Sequence, residues 1–363
     1  MPLEPNVLKT FKFKWIDGEG NETGFLKKRG EFNGETLKLD YVEVLVDGIA
    51  SIAVRDKFLA MVLPNLSDEE DSIDDPFQTL TIAVYGIGAE PLKRMINGAR
   101  SDVVAANEKK QLDAKGLGHQ FRSAQCPFCD ATVLLSRLPE TPQCYCDYCE
   151  TLHTVDTGGG FGQTEGLSQK QESKFRICDE CDMYSQPRKF TVFYFIFLIY
   201  FVSYSHRPTW RCPGCMRGDA WKMLFGNIFG LIGLPVAIVQ LFRSYYSKAS
   251  SGPLRGLDDA NILARKGNVD KALSRYDGLM DNVPVNAGIK FNIGWGLVYQ
   301  GDYPSAETMF KLSLDDCANY RPSIRGLIIC LEEQQKEEEL VQLYELHHRA
   351  VSRNLKLSSK NVT

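Results

Sequence analysis

The chain has 363 residues, 44% of them hydrophobic and 24% charged. That excludes a disordered chain, and the length allows about two to four domains with cores of their own. A formal net charge of −4 speaks against a nucleic-acid protein held by bulk electrostatics and leaves only local basic patches for phosphate.

The opening stretch MPLEPNVLKTFKFKW lacks the charged, apolar and small-residue regions of a secretory signal. Eight of the 11 cysteines fall into four CxxC pairs, which in a reducing compartment serve metal or redox chemistry more often than disulfides. The expectation is an intracellular chain.

From Thr10 to about Leu63, short runs alternate apolar and polar residues (TFKFKWI, ETLKLD, VEVLV, SIAVRD, FLAMVL), the period of antiparallel strands. The acidic stretch Ser67 to Asp75 reads as a solvated loop, and QTLTIAVYGI resumes strand character. Pro91 then starts a helix, with Leu92, Met95, Ile96 and Ala99 at helical spacing and a polar continuation toward Leu112. Strands followed by one closing helix, over residues 1–115, resemble the pleckstrin-homology-like fold. The resemblance rests on element order and carries no function with it. Lys27, Lys28 and Arg29 would reach lipid phosphates from a strand-connecting loop; as an ordinary charged turn they would simply be solvated.

Residues 120–155 contain CPFCDATVLLSRLPETPQCYCDYC. The pairs Cys126/Cys129 and Cys146/Cys149 bring four thiolates to one tetrahedral Zn²⁺, which staples a segment too small for a core. The segment resembles the zinc ribbon. Cys126-Pro-Phe-Cys129 could instead be a redox pair, but the strand–helix–strand setting of that chemistry is missing. Cys144 and His153 are a spare thiol and a spare imidazole beside the four-cysteine set.

Residues 156–173, rich in Gly, Ser and Gln, read as a linker. In 174–220 the pairs Cys178/Cys181 and Cys212/Cys215 repeat the pattern around the aromatic run KFTVFYFIFLIYFVSY. Its apolar length, about 15 residues, is short of the ~20 that a spanning helix needs. Phe, Tyr, Val, Ile and Thr favour strands, so a β-hairpin is expected that returns both pairs to one ion. A short transmembrane helix would put the pairs on opposite faces of a bilayer. Residues 221–246 hold no charge between Lys222 and Arg243. About twenty residues span ~30 Å as a helix, yet Gly226, Gly230, Gly233 and Pro235 interrupt it and basic residues flank both ends. That pattern predicts a membrane-associated hairpin or re-entrant segment bent near Gly233, with a buried helical hairpin as the soluble alternative. Ile177 to Tyr246 resembles a module of uncharacterised bacterial membrane-associated proteins and brings no known activity.

Ser247 to Gly256 reads as a second linker. Residues 257–353 then repeat with a 34-residue step: Gly267 aligns with Gly301, Ala272 with Ala306, Tyr276 with Phe310 and Tyr344, and Leu263 with Leu297 and Leu331. The pattern resembles tetratricopeptide repeats, which implies that the small residues let paired helices approach, that the aromatics pack into the next pair, and that the array has a peptide-binding face. The third copy departs, with Gln335 for Gly and Leu340 for Ala, and reads as a capping repeat; a purely structural array is the alternative. Cys317 and Cys330 read as buried small hydrophobes.

No phosphate-binding loop, nucleophile elbow or HExxH motif occurs, and His347 and His348, adjacent on a helix, point apart. The fold class expected is α+β and multidomain: an antiparallel β-domain with one closing helix, two ribbon-like four-cysteine sites, an apolar hairpin or membrane segment, and helical repeats. The function expected is a non-catalytic scaffold with two Zn²⁺ ions, on the inner face of a membrane in the cytoplasm, binding a protein partner through its repeats. The same thiolates would also take iron. A nucleic-acid-binding ribbon and a thiol-redox protein are the rival readings.

Overall fold

The computed structural model describes residues 8–64, 77–155, 167–198, 201–226, 234–246 and 252–358. The chain divides into two compact units, Met1–Ser136 and Arg137–Thr363.

In the first unit, seven strands form one antiparallel sheet: β1 (Lys9–Trp15), β2 (Lys28–Phe32), β3 (Thr36–Leu39), β4 (Val42–Leu45), β5 (Ser51–Arg55), β6 (Phe58–Pro64) and β7 (Phe77–Tyr85), in the order β4-β3-β2-β1-β7-β6-β5. The period-two pattern does what it predicts. Phe11 and Phe13 are buried while their neighbours Thr10 and Lys12 are exposed. Gly30 is required where β2 crosses β1, since a Cβ there would lie 2.5 Å from the Phe11 ring. Helix α1 (Ala89–Ala114) lays Leu92 and Ile96 onto the same core.

The sequence pattern missed β2, whose few residues are mostly charged. Lys28 and Arg29 lie on that strand rather than in a loop, and pair with Asp40 at 2.6 Å and Glu31 at 3.0 Å. Lys27 sits 4.0 Å above the Tyr85 ring. The acidic stretch at 67–75 lies outside the described residues. The unit ends in a hairpin of β8 (Ser123–Gln125) and β9 (Thr132–Leu134), fastened to α1 where Thr132 donates its N–H to Ser101 Oγ (2.8 Å) and its hydroxyl to Asp102 (2.7 Å).

The second unit begins with the hairpin β10 (Gln143–Cys146) and β11 (Thr151–Thr154), the short helix α2 (Gln169–Glu172) and the paired strands β12 (Arg176–Ile177) and β13 (Tyr184–Ser185). Most of the expected linker at 156–173 lies outside the described residues. The aromatic run forms the expected hairpin: β14 (Arg188–Leu198) pairs with β15 (Phe201–Arg211) in one register from Arg188 opposite Arg211 to Leu198 opposite Phe201.

Of the two readings of the apolar segment at 221–246, the helical one forms. Helix α3 (Pro213–Gly226) starts inside the second cysteine pair and runs through the boundary expected at 220, and α4 (Leu234–Tyr246) packs back on it. Met216, Ala220 and Met223 of α3, Ala237 of α4 and Phe190 of β14 make a small core of their own. Among the described residues no helix is long and apolar enough to cross a membrane. The transmembrane reading of this segment therefore has no support, and the helical hairpin is what forms.

Three helix pairs complete the unit: α5 (Leu257–Arg265) with α6 (Val269–Asn282), α7 (Ala287–Val298) with α8 (Tyr303–Asp316), and α9 (Arg321–Glu333) with α10 (Glu337–Ser358). Ala272, Tyr276, Ala306 and Phe310 are buried, whereas Tyr344 of the divergent copy is half-buried and its neighbour Leu343 takes the interior place. The Phe310 ring lies between glycines of the flanking helices. A Cβ would come within 2.8 Å of it from Gly294 and within 2.4 Å from Gly326. Gly267 and Gly301 turn the chain at φ +76° and +77°, the left-handed conformation that glycine adopts without a steric cost.

Candidate metal centres and the strands around them

All eight cysteines picked out by spacing fall into two groups, Cys126/Cys129/Cys146/Cys149 and Cys178/Cys181/Cys212/Cys215. Within each group the Sγ atoms lie within 4.8 Å of one another. Seven of the eight are buried, Cys149 being half-buried. Four thiolates around a Zn²⁺ with bonds of about 2.3 Å would stand roughly 3.8 Å apart, and Cys181 and Cys212 are separated by 3.9 Å. The donor set therefore fits a closed tetrahedral site for a thiophilic ion.

The local backbone explains why CxxC curls into a ligand pair. The amide four residues after each leading cysteine donates back to its carbonyl: Asp130 to Cys126 (3.0 Å), Glu150 to Cys146 (2.8 Å), Asp182 to Cys178 (3.0 Å) and Met216 to Cys212 (2.9 Å). In the first three knuckles the acidic residue holds a positive φ, +59°, +59° and +53°, which reverses the chain and starts or rejoins a strand. Asp tolerates this conformation better than most side chains. In the fourth knuckle the chain enters α3 instead, so Cys215 lies in a first helical turn, where unpaired amides favour a thiolate.

The second quartet is polar around its sulfurs. The Cys212 amide donates to Cys178 Sγ (3.2 Å), the Cys215 amide to Cys212 Sγ (3.5 Å), and Arg265 Nη1 of α5 to Cys215 Sγ (2.9 Å). Hydrogen bonds from the Cys181, Cys212 and Cys215 thiols, with the Cys212 amide, hold Cys178 well below the ordinary thiol range. Four thiolates on a divalent cation leave a net charge of about −2, and the Arg265 guanidinium stands against it. Next to the site, Arg211 bonds Glu180 (2.7 Å) and Asp219, and Asp179 and Trp210 exchange hydrogen bonds, which locks the root of the aromatic hairpin to the first knuckle.

Cys144 and His153 belong to neither group. They face each other across β10 and β11 and are buried. Cys317 and Cys330 are buried too, and burial pushes the Cys330 thiol up to about 12.

Sequence reasoning missed the residues that seat the knuckles on the helices. Asn292 of α7 grips the backbone of Tyr184 on β13 from both sides. Its Oδ1 accepts the Tyr184 N–H (2.7 Å), and its Nδ2 donates to the Tyr184 carbonyl (2.7 Å). Asn261 of α5 donates to the same carbonyl (3.0 Å), and the Tyr276 hydroxyl donates to Asn261 (2.7 Å). Asn319, just before α9, repeats the grip on Tyr145 of β10, accepting its N–H at 2.9 Å and donating to its carbonyl at 2.7 Å. Gly288 leaves the room for Tyr184: a Cβ there would sit 2.4 Å from the ring. The first helices of the pairs thus hold two extended strands of the same chain through side-chain amides, and the knuckles and repeats share one buried cluster. The asparagines escape a repeat alignment because their spacing does not follow the 34-residue step. The sequence positions one step on from Asn261 and Asn292 are Trp295 and Gly326. No protein-family model, curated protein or solved structure matches the chain.

Proposed function

We propose that the chain is a non-catalytic scaffold braced by two zinc ions, that it rests on a membrane surface through the exposed side of α3 and α4, and that it presents its helical repeats to a protein partner. The observation that carries this reading is the closed donor set. Four thiols per site, all buried but the half-buried Cys149, fill a tetrahedral ion and leave no coordination position for water or substrate, so the metal acts by rigidity. Asn261, Asn292 and Asn319 are already engaged with Tyr184 and Tyr145, which directs the partner to the second helices. There Leu312 of α8 and Val341 and Leu346 of α10 are exposed.

Metal analysis of the purified chain tests the reading. The expected result is close to two zinc ions per chain, falling to one in the Cys212→Ser, Cys215→Ser variant. Wild-type protein that holds no zinc, or holds iron that cycles between oxidation states, would overturn it.

A further inference from the structure

A cavity of about 560 Å³ opens between α3, α5 and α6, and three guanidinium groups line it: Arg217, Arg255 and Arg275. Two carboxylates also face it. Asp259 is paired with Arg275 at 3.6 Å, and the buried Asp258 lies in the first turn of α5, where the helix N-terminus favours its charge. Cationic groups are in excess. Nε of Arg217 is buried and has no hydrogen-bond partner among the described residues, a costly state for a charged group. Nothing narrows the floor at Gly256 or Gly278, where an added Cβ would meet no atom within 4 Å, and Ser274 and Asn282 add neutral polar groups.

The cavity adjoins an apolar face. On α3, Trp221 and Phe225 are stacked at 5.9 Å and exposed, and on α4 Ile238, Val239, Phe242 and Tyr245 are exposed by half or more. Arg217 belongs to both places. It lies one turn before Trp221, and its guanidinium carbon is 5.4 Å from the Tyr245 ring. Aromatic rings that are apolar at one end and wet at the other suit the boundary between acyl chains and headgroups.

We propose that this cavity binds the phosphate-monoester headgroup of a membrane lipid while the α3–α4 face lies in the bilayer boundary. The proposal rests on the membrane-surface reading above and adds a ligand to it. A phosphate monoester brings close to two negative charges and three strong acceptor oxygens, which match the fork geometry of arginine. A free phosphate ion would satisfy the same arginines but gives no reason for the apolar face beside them, so the lipid is the source inferred.

Flotation of the full, zinc-loaded chain tests it, using vesicles of phosphatidylcholine alone and of phosphatidylcholine with phosphatidic acid. The chain is expected to float with the second and weakly with the first. Arg217→Gln and Arg275→Gln should each lower partition about fivefold, whereas Lys271→Gln, on α6 outside the cavity, should leave it unchanged. Zinc content confirms that each variant is folded, and Ile238→Ser with Phe242→Ser should abolish flotation on both compositions. Equal flotation on both vesicles, unmoved by Arg217→Gln, would overturn the headgroup site and leave the membrane reading standing. Binding of inorganic phosphate without flotation would overturn the lipid as ligand, and self-association without flotation would make the apolar face a contact between copies. Failure to float at all would remove both readings.

Discussion

Within the second unit, the cysteine knuckles and the helix pairs bury comparable residues by different physical means. The strands β10 to β13 are two to four residues long and bring few apolar side chains, so their order comes from coordination and from side-chain amides that satisfy their backbone. The helices have all their internal hydrogen bonds already and are ordered by shape, with the Phe310 ring closed between Gly294 and Gly326. A region with few apolar side chains of its own has to be held by strong, directional, individually expensive interactions, whereas a packed region spreads the load. The two should therefore fail differently.

Metal removal should have the largest effect. Chelation at pH 7 is expected to lose backbone hydrogen-exchange protection at Tyr145 and Tyr184 first, with helices α8 and α9 protected longer. Simultaneous loss throughout the unit would erase the distinction and show one cooperative block. Asn292→Ala comes next. It strips the buried Tyr184 amide of its partner, leaves the Tyr184 carbonyl to Asn261 alone and removes a bond to Asn261, so a loss of about 3 kcal/mol is expected in urea denaturation of the zinc-loaded chain. A loss below about 1 kcal/mol would mean that metal alone seats the strand. Asn319→Ala, at half-buried Asn319 with the same two-sided grip on Tyr145, should cost less.

The same contrast decides what could be read in advance. Cysteine spacing is local and chemically specific, so both four-cysteine groups were legible, as were the aromatic hairpin within the second and the register of Gly267 with Gly301 and Ala272 with Ala306. The asparagine grips were not. They join residues 77 to 174 positions apart, and a polar residue on a helix reads as solvated until the strand it faces is known. For the apolar segment at 221–246 the helical hairpin was legible, but its division into an inner and an outer face was not, for a related reason. Hydropathy counts residues and does not see that Met216, Ala220, Met223 and Ala237 turn inward on Phe190, and that what remains outside is a face.

On the packing side, Gly326→Ala is expected to cost about 2 kcal/mol, because the new methyl meets the Phe310 ring at 2.4 Å and the ring has α7 behind it. A Phe310→Leu change in the same chain should recover part of that loss by making room, which a helix-propensity effect would not show. His347 of α10 gives a pH-dependent counterpart. Burial lowers its pKa from 6.5 to about 4. The unfolded chain therefore takes up a proton there at a higher pH than the folded one. Its contribution to stability is complete above about pH 6.5 and is lost as pH falls toward 4. The denaturation midpoint of the zinc-loaded chain should drop across that window, and less so in a His347→Phe variant.

The smallest effect tests how far shape alone sets the repeats. After α5 and α7 the chain turns through Gly267 and Gly301, and the next amide reaches back to a leucine carbonyl, Asn268 to Leu263 (3.0 Å) and Asp302 to Leu297 (3.1 Å). After α9 the same turn is made by Gln335 at φ +56°, with Lys336 reaching Leu331 at 2.9 Å. The cap survives because its bonds are made by the backbone, but a side chain at positive φ crowds its own carbonyl at a cost of about 1 kcal/mol. Gln335→Gly should return that amount, offset in part by the added freedom of the unfolded chain. A net gain of a few tenths of a kcal/mol in the denaturation midpoint is expected. A loss instead would mean that the Gln335 side chain makes a stabilising contact that outweighs the strain, and that the third pair is held by more than the shape it shares with the first two.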